Sequence, residues 1–134
     1  MSFIIECSVG EIIDKVSILR IKLENAADPA QIQHIIREYN MLKRSLQKDD
    51  DILREHCDRM YEINKRIWDL ENTIREKGGR SEFDDAFVAC ATAIYRTNDE
   101  RYMFKRELNE LYGSEICEEK IYGVGLGLGP VKKV

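Results

Sequence analysis

The sequence has few residues that break helices and no long apolar stretch. Only two prolines occur, Pro29 and Pro130, and half of the eight glycines lie between residues 123 and 129. No run approaches the roughly 20 apolar residues that a membrane-spanning helix needs. Residues 1–6 lack the basic and apolar parts of a signal peptide. We therefore expect a cytoplasmic protein that does not bind membranes.

The cysteine and histidine pattern is equally sparse. The four cysteines are widely spaced, without a C-x-x-C motif or paired ligands at short spacing. We therefore predict no metal site and no cofactor. The net charge of -4 disfavours nucleic acid as a partner. With 43% hydrophobic and 34% charged residues in 134 positions, the composition is that of one folded domain.

Between its few breaks the chain carries clear signals for helix ends. Ser8 and Glu11 match the S-x-x-E capping box, and Asp28 precedes a proline at the first helical position. Ser81 is a further N-cap candidate, and Gly113 suits the position after a helix end. The predicted helices span about 8–27, 29–77 and 82–112, within one domain of 1–122 that a glycine-rich tail of 123–134 follows.

The second predicted helix dominates the fold. From Ile32 to Ile74 its apolar residues keep one heptad series, in which Asp49 and His56 are the polar members. We predict an all-α fold of antiparallel long-helix hairpins, a coiled-coil-like bundle with one long central helix. A break near residues 48–51, giving a monomeric four-helix bundle, is the alternative. The long helix would leave apolar surface uncovered, so we expect a homo-oligomer.

Polar residues interrupt both long helices at what we expect to be one height. With a turn centred near Gly79, His56 faces Tyr102 and Met60 faces Asn98. A polar layer of this kind either fixes the register of the helices or binds a ligand, and its basic residues suit an anion such as a phosphate. The candidate ligand-binding residues are His56, Asn64, Tyr95, Thr97, Asn98, Arg101, Lys105 and Arg106.

Acidic pairs raise a catalytic alternative. All-α nucleotide pyrophosphohydrolases hold Mg²⁺ through E-x-x-E and E-x-x-D pairs, and this sequence contains Glu55-x-x-Asp58, Glu82-x-x-Asp85 and Glu107-x-x-Glu110. Helical rise would place Glu55 about 30 Å from Glu82 in one hairpin. No Ser/His/Asp or Cys/His triad is visible, and we assign no catalytic residue.

Several stretches together resemble a family of small uncharacterised proteins of bacteria and viruses, including phages. They are E-I-I-D-K-V-S-I-L at 11–19, N-K-R-I-W-D-L-E-N-T-I-R at 64–75, Y-R-T-N-D at 95–99 with K-R at 105–106, and E-E-K-I-Y at 118–122. The resemblance covers about residues 9–122 and leaves out the glycine-rich tail. By analogy it implies a role in host interaction or counter-defence, in the host cytoplasm if the protein is viral.

We therefore expect a non-enzymatic, homo-oligomeric binding protein that sequesters an anionic, nucleotide-like molecule. Its partners would be further copies of itself and a phosphate-bearing small molecule. A helical adaptor that binds another protein is one alternative, and the Mg²⁺-dependent pyrophosphohydrolase is the other.

Overall fold

The structure, a computed structural model, describes residues 1–46 and 51–122, and every regular element in these ranges is an α helix. The predicted all-α class is therefore confirmed. Ser8 caps the first helix through its side chain, Asp28 caps the second, and Asp84 caps the fourth. The described ranges contain four helices, which are α1 (Val9–Asn25), α2 (Pro29–Ser45), α3 (Asp51–Gly79) and α4 (Asp85–Leu111).

The prediction of one helix over 29–77 is wrong. The helix α2 ends at Ser45, and Leu46 leaves the helical region with ψ 76. The next helix begins at Asp51, and Asp49 lies outside the described residues. An unbroken heptad records only which side of a helix is apolar. The heptad pattern gives no information on helix propensity. Aspartates have low propensity for the interior of a helix and favour its first turn.

The first helix is the centre of the arrangement. It packs against each of the other three helices, and α3 and α4 form an antiparallel hairpin beside it. By contrast, α2 has no buried residue and contacts only α1 among the described helices. The apolar core therefore lies between α1, α3 and α4. Its buried residues are Ile13, Met60, Ile63, Ile67, Phe104 and Leu108.

The α3–α4 register differs from the expected one by about two helical turns. Arg66 bonds to Glu100 at 2.6 Å, and Arg59 bonds to Glu107 at 3.2 Å. Position 60 therefore lies opposite residues near 106 and not opposite Asn98. The cause is the turn, because α3 continues through Gly79 and α4 begins only at Asp85.

The turn between α3 and α4 also corrects the role of Ser81. This residue does not cap α4. It adopts a left-handed conformation with φ 55 after the end of α3. The N–H of Glu82 donates to the carbonyl of Lys77, and the N–H of Ser81 donates to that of Gly78. These are the two hydrogen bonds of a Schellman motif, in which Ser81 takes the position that glycine usually fills.

Candidate ligand-binding cleft

A buried polar layer joins the three core helices. The side-chain amide of Asn64 donates to Asp14 Oδ1 at 2.8 Å and to Ser17 Oγ at 2.7 Å. All three residues are at most 6% exposed. Buried polar groups are stable only when they are hydrogen-bonded, and here each group has a partner. The layer therefore holds α1 and α3 in one fixed relation.

Arg101 of α4 extends this layer towards the surface. Its Nη1 donates to Asn64 Oδ1 at 3.1 Å, and its Nη2 donates to Asn98 Oδ1 at 2.7 Å. Both partners are neutral amides. Within residues 1–46 and 51–122 the guanidinium forms no ion pair with a carboxylate. A guanidinium carries five N–H donors, so three remain for another acceptor.

Lys105, one turn further along α4, is neutralised. Its ammonium bonds to Glu11 at 2.6 Å and to Glu118 at 2.7 Å, and it lies 3.8 Å from Asp14. Burial by itself lowers the pKa of Lys105, but the hydrogen bonds to Glu11 and Glu118 outweigh it and hold the pKa above its ordinary value. The same bond from Lys105 holds the pKa of Glu11 below its ordinary value.

The segment that follows α4 turns back along it. Gly113 has φ 63, and the N–H of Ser114 donates to the carbonyl of Asn109, as in a Schellman motif. The conformation predicted for Gly113 is thus confirmed. Further on, Lys120 bonds to Asp99 at 2.6 Å. Its ammonium also lies 5.9 Å above the ring of Tyr102, within the range of a cation–π contact. The segment is therefore attached to α4 at several points.

A cleft of about 780 Å³ lies between α4 and this segment. Three of its lining residues are cationic and three are acidic, so the described lining is neutral overall. We call it the α4 cleft. Its lining residues are Tyr95, Asn98, Asp99, Arg101, Tyr102, Lys105, Glu118, Glu119, Lys120, Ile121 and Tyr122.

The structure brings together half of the predicted site residues. Tyr95, Asn98, Arg101 and Lys105 line the cleft. Asn64 lies directly beneath it and contacts it through Arg101.

Three predicted residues lie elsewhere. His56 sits between the rings of Phe104 and Tyr112, with centroids at 6.2 and 5.9 Å, because the register is shifted by two turns. Thr97 is buried and donates to the carbonyl of Ala93 within its own helix. Arg106 forms an ion pair with Glu110 and does not line the cleft.

The acidic partners of Lys105 and one glycine are not among the predicted site residues. Glu11 is predicted as part of the capping box, and Asp14 and Glu118 only as members of the family-like stretches, yet all three surround Lys105. Gly10 belongs to no predicted motif. Its N–H donates to Asn109 Oδ1 at 2.7 Å, where α1 meets α4. A glycine in the first turn of an apolar helix was the available signal for such a close approach.

The acidic pairs of the hydrolase alternative do not converge. Asp58 bonds to Arg20 of α1 at 2.9 Å, and Glu107 bonds to Arg59. The described part of the chain contains no group of three or more Asp, Glu, His or Cys side chains arranged to hold a metal ion.

The described residues define an all-α protein with a polar cleft between α4 and the segment that follows it. The chain belongs to DUF6165, a family of unknown function that matches residues 3–130. The match extends past residue 122, so it includes most of the glycine-rich tail that the motifs left out. No curated protein and no solved structure shows significant similarity to the chain. None of the helices in the described ranges is both long and apolar enough to cross a membrane.

Proposed function

We propose that this protein binds a small anionic molecule in the α4 cleft, and that Arg101 is the residue that contacts the anion. The observation that carries the proposal is that the hydrogen-bond partners of the Arg101 guanidinium are neutral amides. Among the described residues Arg101 is the one cation of the cleft lining without a carboxylate partner. Asn64 and Asn98 hold its guanidinium in place without neutralising it. An orientated guanidinium with free N–H groups suits a planar or tetrahedral oxyanion.

The charges around Arg101 narrow the class of ligand. Lys105 and Lys120 are already paired with Glu118 and Asp99. The carboxylates would repel a polyphosphate, which needs several uncompensated cations. The cleft therefore favours a ligand with a single phosphate or carboxylate.

Aromatic residues supply a surface for the rest of the ligand. Tyr95 and Tyr122, both lining residues of the cleft, are 52% and 64% exposed. Tyrosine rings stack on planar heterocycles such as nucleobases. Glu119 adds a carboxylate that can accept a hydrogen bond from an exocyclic amine. A nucleoside monophosphate has all of these features.

The stretches that resemble known sequences converge on this cleft. They include Glu11, Asp14 and Ser17 at the start of the chain and Asn64 in its middle. The same stretches contain Asn98, Arg101's partner, together with Asp99, Lys105, Glu118 and Lys120. Sequence features that are far apart in the chain therefore meet in one network of contacts around Arg101 and Lys105. The Lys120–Asp99 pair lies beside that network in the cleft lining.

The proposed activity is capture and not turnover. Asp99 and Glu118 of the cleft lining are each engaged by a lysine, and the described lining contains no nucleophile with an adjacent base. In a virus-encoded protein, capture of a nucleotide-like signal would serve counter-defence, a role that the sequence resemblance supports by analogy.

The test is ligand-dependent thermal stabilisation followed by calorimetric titration. We expect nucleoside monophosphates to raise the melting temperature and the matching triphosphates and uncharged nucleosides to do so less. Arg101→Ala should weaken binding by roughly 10- to 100-fold, since a charge-assisted hydrogen bond contributes about 1.5–3 kcal/mol. Arg101→Lys should recover only part of the loss.

Arg96→Ala is the matched control, because Arg96 is an exposed cation of the same helix outside the cleft lining. Equal losses in Arg96→Ala and Arg101→Ala would show that general electrostatics, and not the cleft, binds the anion. If no monophosphate at millimolar concentration shifts the melting temperature of the wild type, the proposal is wrong.

A further inference from the structure

An apolar arm precedes the first helix. Phe3, Ile4 and Ile5 are 85%, 100% and 78% exposed, and Glu6 beside them is exposed as well. We call residues 3–6 the N-terminal arm. Three consecutive large apolar side chains in water are unfavourable, and such exposure marks an interaction surface.

A groove with an apolar floor and a basic rim, which complements the apolar and acidic residues of the arm, lies between α2 and α3. It has a volume of about 450 Å³. Val16, Leu46 and Leu53 give it an apolar floor, while Lys43 and Arg44 line its rim. Neither of these two cations forms an ion pair with a described residue. We call this the α2–α3 groove.

We propose that the N-terminal arm of one copy of this chain docks in the α2–α3 groove of a second copy, and that two copies exchange arms in a closed dimer. The arm supplies apolar side chains for the floor, and Glu6 supplies the negative charge that complements Lys43 and Arg44. Reciprocal exchange makes the contact isologous, so assembly stops at two copies.

Two observations favour a second copy over other occupants. The base of the arm is held at the end of α4, because Val9 N–H donates to Ser114 Oγ and Gly10 N–H to Asn109 Oδ1. The groove is lined by Val16, Ser17 and Arg20, about two to three turns further along α1, and the exposed Phe3, Ile4 and Ile5 do not occupy it. The tail of the chain, residues 123–134, carries two lysines and no acidic residue. The basic rim would repel it.

Native mass spectrometry over a range of protein concentrations measures the dimer. Phe3→Ser should weaken dimerisation on the order of a hundredfold, because it removes the largest apolar side chain of the arm. Glu6→Lys should weaken it roughly tenfold, and so should Lys43→Glu. Combining Glu6→Lys with Lys43→Glu should restore much of the loss, since the charges are then exchanged.

Arg37→Glu is the matched control, because Arg37 is an exposed cation of α2 outside the groove lining. It should leave the dimer unchanged. Phe3, Glu6, Arg37 and Lys43 are all exposed, so the variants keep the fold, which circular dichroism verifies.

Two native cysteines report the docked arm directly. Cys7 follows the arm, and Cys57 lines the groove. In a Cys117→Ser background, which removes the exposed thiol, mild oxidation or a short bismaleimide should link Cys7 of one copy to Cys57 of another. The linked species is a dimer on a non-reducing gel.

Three results would overturn the proposal. The first is a monomer at all concentrations, and the second is a dimer that neither Phe3→Ser nor the charge exchange affects. The third is a Cys7–Cys57 link within a monomer, which would place the arm in its own groove. None of these results depends on a ligand, so they are distinct from failure of the binding proposal.

Discussion

Replacing Gly10 by alanine tests the close approach of α1 to α4. A Cβ atom at this position would lie 2.6 Å from the backbone oxygen of Lys105 and 2.9 Å from Asn109 Oδ1. A Cβ atom does not hydrogen-bond and essentially never lies within 3.0 Å of another non-bonded heavy atom, and a backbone oxygen cannot rotate away as a flexible side chain can. The start of α1 must therefore move away from α4.

The expected loss of stability follows from three contributions. Overpacking of a tight contact costs about 1–3 kcal/mol. Separation of the helices also weakens the buried bond from Gly10 N–H to Asn109 Oδ1, which costs about 1–3 kcal/mol when a group is left unpaired. Alanine recovers at most about 1 kcal/mol through its higher helix propensity. We expect Gly10→Ala to lower the free energy of unfolding by about 3 kcal/mol.

Gly78→Ala is the matched control. The added Cβ would meet only Phe87 Cε2 at 3.9 Å, an ordinary van der Waals distance. Gly78 lies inside α3, so alanine should stabilise the protein by about 0.5–1 kcal/mol. Replacing glycine by alanine should thus lower the free energy of unfolding at position 10 and raise it at position 78.

Urea unfolding followed by circular dichroism measures the free energy of unfolding of both variants. In thermal unfolding, the melting temperature of Gly10→Ala should fall by about 10 °C. A Gly10→Ala protein as stable as the wild type would refute the close packing of α1 on α4. A Gly78→Ala protein with a similar loss would show that the effect belongs to glycine replacement in general.

Two further predictions concern the α3–α4 turn and the buried lysine. Ser81→Gly should raise the free energy of unfolding by about 1 kcal/mol in the same urea assay, because Ser81 has φ 55; a destabilised variant would contradict this conformation. Lys105→Met should lose stability relative to the wild type, and pH should modulate the loss. Because the pKa of Glu11 is lowered in the folded protein, its contribution is present above about pH 4.5 and disappears as the pH falls through the folded value. Because the pKa of Lys105 is raised, its contribution is present below about pH 10.5 and disappears as the pH rises through the folded value. The difference between Lys105→Met and the wild type should therefore be larger at pH 7 than at pH 3, and a difference independent of pH would contradict the Glu11–Lys105 pair.

Local signals in the sequence predicted local structure well. Ser8 caps α1 and accepts from the N–H of Glu11, as the capping box implies. The second half of the box is absent, because the Glu11 carboxylate bonds to Lys105 instead. Asp28 caps α2, and Gly113 takes its left-handed conformation. Each of these depends on neighbours within a few residues, which is the range that sequence patterns cover.

The register between α3 and α4 could not be predicted in the same way. A turn centred on Gly79 and a turn that passes through Ser81 to the cap at Asp84 differ by only a few residues in sequence. Each residue added to the turn nevertheless moves every facing pair along both helices. The wrong register placed His56 in the predicted site. It also did not predict the pairs that Glu100 and Glu107 form with Arg66 and Arg59.

The electrostatics of the site show why a cluster of basic residues in sequence does not by itself predict an anion site. Lys105 belongs to the basic cluster of α4, but Glu11, 94 positions earlier, and Glu118, 13 positions later, neutralise it. Neither carboxylate is close enough in the helical pattern to be assigned to Lys105 from the sequence. Arg101 keeps its charge uncompensated because the fold brings two amides to it. The cation able to bind an anion is therefore the one whose partners are neutral, and the fold determines which cation that is.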